Sequence, residues 1–146
     1  MIPVGRASLF AALLLAAPLA APASAQQELP LVLDSLATLW ARGDATRLAE
    51  YGAGRGIELE VHGENLGRVS GRKAAVALRH MFANQETIRV RASMSSRVTG
   101  ADQTAFAELT WEARPRGSTI PATNTVFLGL VREYRGWQVS QIRVMR

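Results

Sequence analysis

Apolar residues recur along this chain at two different periods, and the change from one to the other outlines a fold. Between Glu28 and Arg42, the residues Val32, Leu33, Leu36, Leu39 and Trp40 return every three or four positions, which places them on one face of an α-helix. Gly43 closes that stretch. Asp44 is placed to cap a shorter second helix, Ala45 to Tyr51, which buries Leu48 and Tyr51 and stops at Gly52. The run Gly52-Ala53-Gly54-Arg55-Gly56 reads as a turn. From Ile57 the period is two: Ile57, Leu59 and Val61 share one face of a half-buried strand, and Glu58, Glu60 and His62 the other. Gly63 to Gly67 reads as a turn, followed by a short strand through Arg68 and Val69. Ser70 then caps a third helix, Gly71 to about Ala83, with Ala74, Ala75, Leu78, Met81 and Phe82 as its apolar stripe.

The remainder reads as strands. In Thr87 to Ser95, Ile88, Val90, Ala92 and Met94 alternate with Arg89, Arg91 and Ser93. A turn at Thr99-Gly100-Ala101-Asp102 leads into Ala105, Ala107, Leu109 and Trp111, which alternate with Phe106, Glu108, Thr110 and Glu112. If these two strands form a hairpin, Arg89 and Arg91 share its outer face with Glu108 and Glu112, the opposite-charge pairing that supports a register. Pro115, Gly117 and Pro121 make Arg114 to Pro121 a loop. Thr123 to Tyr134 is apolar on both faces over Val126 to Val131 and reads as a central, doubly covered strand. After Arg135-Gly136 the last strand, Trp137 to Met145, breaks phase. Trp137 and Val139 have one parity, Ile142 and Val144 the other, so a β-bulge near Ser140-Gln141 is required to keep one buried face. The order predicts an α+β domain, three helices of the N-terminal half packed on a bent antiparallel sheet.

Residues 1–25 have a different character. Arg6 precedes the apolar run Leu9 to Ala17, and small residues follow up to Ala23-Ser24-Ala25, directly before Gln26-Gln27. A basic start, a short apolar centre and an A-x-A exit predict a secretory signal peptide cut after Ala25. The run is too short to cross a bilayer core, which takes roughly 20 apolar residues, so no stable membrane anchor is expected. The product is expected to be exported, periplasmic or extracellular, with residues 26–146 as a single domain. Removal of 25 of the 146 residues leaves 121, enough for one core and too few for two. With no cysteine, disulfides, thiolate metal sites and a Cys nucleophile are excluded.

The formal charge is +5, and 16 of the 17 basic residues are Arg, Lys73 being the exception. The bias fits a GC-rich genome; its functional reading is recognition of anions, which suits the planar guanidinium. Residues 26–67 carry seven acids against three Arg, whereas residues 68–97 carry seven bases against Glu86. Neither block is a run of like charges, and with export expected, nucleic acid is not expected as a partner.

Three stretches, Leu39-Trp40-Ala41-Arg42-Gly43-Asp44-Ala45, Val69-Ser70-Gly71-Arg72-Lys73-Ala74 and Gly136 to Val144, make the chain resemble the NTF2-like superfamily. These α+β cones, also called cystatin-like, include ketosteroid isomerases and SnoaL-like cyclases. In look it is most similar to small secreted bacterial members of unknown function. The resemblance implies a general base near His62, where the isomerases keep an Asp. Their oxyanion-hole Tyr falls near Leu36, and the late strand that supplies their second donor offers only apolar residues and Gly129. That chemistry is therefore not expected to carry over.

The chain has no Ser–His–Asp set, phosphate loop or HExxH motif. Glu58, Glu60, His62 and Glu64 form an E-x-E-x-H-x-E series, but a straight strand spaces such neighbours about 6.5 Å apart and spreads them, so a solvated or ion-paired face is expected and no metal site. His62 is the one acid/base candidate; unbroken alternation turns it to solvent. His80 reads as a partly exposed helix histidine. Trp40, Tyr51, Phe82, Trp111 and Phe127, with Trp137, either line an apolar pocket or fill the core. The expected function is a secreted, non-catalytic domain that binds a small apolar ligand or a partner protein, with no cofactor. One alternative is a ketosteroid-isomerase-like or SnoaL-like enzyme using His62. The other is a structural module that dimerises through its outer sheet face, suggested by Phe106 and the apolar stretch 126–131.

Overall fold

The structure, a computed structural model, describes residues 24–98 and 103–146. The expected signal peptide and the turn at residues 99–102 lie outside the described residues, except that the first helix begins at Ser24. The elements are α1 (Ser24–Arg42), α2 (Ala45–Glu50), β1 (Ile57–Val61), β2 (Glu64–Val69), α3 (Gly71–Ala83), β3 (Gln85–Val98), β4 (Thr104–Pro115), β5 (Ala122–Glu133) and β6 (Gly136–Met145). The strands form one six-stranded sheet in the order β2-β1-β6-β5-β4-β3. Every pairing is antiparallel except β1 with β6, which is parallel, so the sheet is mixed rather than purely antiparallel as expected.

The helices begin where the sequence places their caps. Asp44 Oδ1 accepts from the Arg47 N–H at 3.1 Å and Ser70 Oγ from the Lys73 N–H at 3.3 Å, each satisfying a donor the first turn leaves unpaired. Leu29, Leu33, Leu36, Leu39 and Trp40 of α1 and Leu78, Met81 and Phe82 of α3 are buried against the sheet. Full burial of side chains this large contributes about 1.5–3 kcal/mol each, offset in large part by the entropy of ordering them.

The phase break in β6 resolves as a bulge. Gly129 pairs with Gln141 and Leu130 with Val139, which leaves Ser140 as the extra residue. Trp137, Val139, Ile142 and Val144 are all buried as a result.

Four expectations are corrected. First, Gly63 to Gly67 is not a turn: β2 already starts at Glu64, and the turn is His62-Gly63 alone, with φ of 49° and 85°. Two left-handed residues between antiparallel strands match the right-handed strand twist, and Gly63 adopts that conformation without a Cβ penalty. Second, Ile88 does not face the core. Thr87 pairs with Ala113 and Arg89 with Glu112, so Ile88 sits in a bulge and is 49% exposed. Beyond the bulge Val90 and Ala92 pair with the buried Trp111 and Leu109 on the helix side, where Val90 is half-buried and Ala92 exposed; the Met94 side chain lies outside those described. Third, β5 is central in the sheet but not covered on both faces. Val126, Leu128 and Leu130 are buried towards the helices, while Phe127 and Val131 on the other face are only half-buried. Fourth, the hairpin charges pair in part: Arg89 meets Glu112 at 2.7 Å, whereas Arg91 lies opposite Thr110.

Candidate functional site

The space between helices and sheet is filled by aromatic rings. Trp40 meets Phe82 at 5.2 Å and Trp111 at 5.6 Å, and Phe82 meets Trp111 at 5.9 Å, all edge-to-face. That arrangement suits the ring quadrupoles. Trp111 Nε1 donates to Thr87 Oγ1 at 2.9 Å. Trp40 Nε1 is buried without an acceptor among the described residues, a cost that the ring contacts must offset. Of the five aromatic pocket candidates, Trp40, Phe82 and Trp111 are therefore core, Phe127 lies on the outer sheet face, and only Tyr51 borders a groove. Trp137 is core as well, at the start of β6.

Among the described residues the buried polar side chains are Asn124 and Gln138. The Gln138 amide nitrogen, in the orientation that satisfies it, donates to the carbonyls of Tyr51 at 3.1 Å and Gly52 at 3.3 Å. Asn124 Nδ2 donates to the Trp111 carbonyl at 3.4 Å, and its Oδ1 lies 3.3 Å from His62 Nε2. Asn124 corrects the reading of the late strand as apolar but for Gly129. It has the parity of Val126, Leu128 and Leu130, so the alternation itself carried the signal.

His62 is exposed, and its place is set by the β1–β2 turn rather than by strand alternation. Its backbone N–H donates to the Val144 carbonyl at 2.8 Å. An amide oxygen only accepts, so the ring nitrogen facing Asn124 is the donor of this contact. Leu36, where the isomerases place a Tyr, is buried. Among the described residues no carboxylate joins the pair. Glu58 is held by Arg68 at 3.2 Å and Glu60 by Arg143 at 2.9 Å, while Glu64 is exposed. Among the described residues no three His, Cys, Asp or Glu side chains come together to hold a metal ion. His80 is exposed on α3.

An open groove of about 770 Å³ runs between α1 and α2, lined by Leu31, Ser35, Leu39, Arg47, Glu50 and Tyr51 among others. Through Leu31, Ser35 and Tyr51 it continues into a hollow of about 380 Å³ under the β5–β6 turn, walled by Arg132, Tyr134 and Trp137. Arg132 is fixed there by Glu28 at 3.0 Å and lies 5.9 Å over the Trp137 ring. Leu31 is 66% exposed and Tyr134 fully so, which gives the groove apolar contact area that no described residue covers. On the outer sheet face Phe106, 51% exposed, stands opposite Gly129. Among the described residues no helix is long and apolar enough to cross a membrane.

No family model and no curated protein matches the chain. Solved structures do share its fold. A DUF4783 family protein from Bacteroides ovatus superposes with a TM-score of 0.63 at 18% identity, over 76% of this chain and 91% of its own. A ketosteroid isomerase-like protein from Erwinia carotovora atroseptica gives 0.64 at 17% identity, over 80% and 91%. An NTF2-like protein with a cystatin-like fold from Novosphingobium aromaticivorans gives 0.58 at 17% identity, over 84% and 81%. The fold is the NTF2-like, cystatin-like cone; at these identities the likeness establishes the fold alone.

Proposed function

We propose that this is an exported NTF2-like binding domain without catalysis of its own, whose ligand or partner protein seats in the groove bounded by α1, α2 and the β5–β6 turn. The observation that carries the reading is the filled interior. Catalysis inside a cone needs a titratable group within about 3 Å of a reacting atom and room for that atom. Trp40, Phe82 and Trp111 occupy the space, and the polar side chains buried among the described residues are two neutral amides. Binding is thereby directed to the outside, where Leu31, Leu39 and Tyr51 offer apolar contact between charged rims.

An amide NMR screen of the full chain against small aromatic and aliphatic fragments tests this. Shift changes are expected at Leu31, Ser35, Tyr51 and Gln138, and Leu31→Glu is expected to abolish them without altering the melting temperature. Changes centred on Leu36, Trp40 and Trp111 would sink the reading. So would turnover of any substrate that disappears in His62→Gln. That second reading, acid/base catalysis, is favoured by the Asn124 contact, which orients the His62 ring through Nε2. Concentration-dependent changes confined to Phe106 and Phe127 would instead point to a second copy docking on the outer sheet face.

Export rests on residues 1–25, the basic start, short apolar centre and A-x-A exit of a signal peptide. N-terminal sequencing of protein recovered from periplasm or medium is expected to start at Gln26. Recovery from the cytosol with Met1 in place overturns export.

A further inference from the structure

The basic excess of residues 68–97 plays no part in the groove. Arg68 and Arg89 are consumed by Glu58 and Glu112 on the outer sheet face. Arg79 instead turns to the far end of the helices, where its guanidinium donates to Thr46 Oγ1 at 3.2 Å. There it lines a hollow of about 360 Å³ together with Arg42 and Arg116, against Phe82, Gln85, Glu86 and Thr87. A volume of this order sits at the lower end of the range for small-molecule sites.

The charges in this wall do not cancel. Arg42 makes no hydrogen bond or ion pair among the described residues. Arg116 is held in place by donating from Nε to the Ala83 carbonyl at 2.7 Å. The acid in the lining, Glu86, is occupied by Arg114 through two hydrogen bonds, at 3.0 and 2.8 Å. Those bonds first, then the Arg114 charge, hold its carboxyl below the usual carboxylate range, with a smaller contribution from Arg116. Glu86 and Arg114 neutralise one another and leave three Arg residues, without an acid paired to them, in the lining of one hollow.

Cations near helix C-termini offset the helix dipole, and this accounts for Arg42 in the last turn of α1 and Arg116 on the end of α3. It does not account for Arg79, which bonds a side chain of α2 instead of a terminal carbonyl. Nor does it account for the rest of the wall. The Thr87 oxygen is taken by Trp111 Nε1, and the adjoining bulge at Ile88 turns the strand locally, the kind of irregularity that re-aims side chains. Guanidinium groups carry donors only, and the Gln85 amide, which has both a donor and an acceptor end, can turn its NH2 to the same side. Such a wall discriminates against cations and matches an acceptor-rich ligand.

We propose that this hollow binds a tetrahedral oxyanion, a phosphate or sulfate group carried on a small ligand, held by Arg42, Arg79 and Arg116. The proposal is independent of the groove reading, since the two sites share none of these residues. An amide NMR titration of the full chain with inorganic phosphate, at constant ionic strength set by chloride, tests it. Saturable shifts are expected at Gly43, Ala83, Gln85 and Thr87. Arg42→Gln removes one charge-assisted contact and is expected to weaken binding about tenfold or more. Because the Arg42 side chain is exposed and makes no hydrogen bond or ion pair among the described residues, the fold should survive, and an unchanged melting temperature verifies it. Arg72→Gln, an equal loss of charge in the first turn of α3, is expected to change affinity less than about twofold, since solvent and salt screen it. Sedimentation with phosphatidylglycerol vesicles that fails in Arg42→Gln would identify the carrier as a lipid headgroup, and phosphate binding without sedimentation a free small ligand. Shifts that never saturate, or equal weakening by Arg42→Gln and Arg72→Gln, would show bulk charge attraction and overturn the site.

Discussion

Trp111→Ala is expected to destabilise the domain by about 3–5 kcal/mol, read as a lowered midpoint in urea with an unchanged slope. Trp111 is fully buried at the centre of β4, pressed edge-on against Trp40 and Phe82. Truncation removes both ring contacts, leaves a cavity that three different elements would have to move to close, and orphans the Thr87 hydroxyl. A cost of that size is a large part of the 5–15 kcal/mol that holds a typical domain together. Phe106→Ala, five residues earlier on the opposite face of the same strand, serves as the contrast and is expected to change stability by less than about 0.5 kcal/mol. A nearly neutral Trp111→Ala would mean that the interior is loosely occupied. The binding reading would then lose its footing, since a ligand would have room within the cone.

The fold was legible wherever one physical cause dominated a stretch. The α1 and α3 stripes, the Asp44 and Ser70 caps and the phase break in β6 each follow from local geometry, and the structure has all of them. What was lost was lost to irregularity. Two glycines four residues apart look like a loop, yet Gly63 completes a tight turn and Gly67, with φ of 66°, sits beside a bulge in β2 that leaves Leu66 unpaired. At Ile88 a β-branched residue with perfect parity is turned outward by one extra residue, and no propensity announces that. The site was less legible still. Asn124 could be read from parity, but its contact with His62 joins residues brought together only by the β1–β6–β5 order. Arg42, Arg79 and Arg116 belong to the end of a helix, the middle of another and a loop. Their convergence is a tertiary fact that a charge count along the chain can hint at without locating.

Trp137→Ala and Ile142→Ala are each expected to cost about 2–5 kcal/mol, and the pair decides the register of the final strand. A regular strand sends residues of opposite parity to opposite faces, so without a bulge only one of these two can be buried. Both are buried, Trp137 beneath the Arg132 guanidinium and Ile142 beside Leu59 of β1 and Leu128 of β5. Ser140 makes this workable by standing outside the pairing between Gly129 and Leu130. The same irregularity has a consequence for the groove. Val139 exchanges backbone hydrogen bonds with Tyr51 and Ala53, so the strand before the bulge fixes the end of α2 and with it the groove wall. Urea unfolding of the two variants measures the costs directly. If either substitution is nearly neutral, that side chain faces water, the strand runs straight, and Tyr51 has lost the support that places it in the groove.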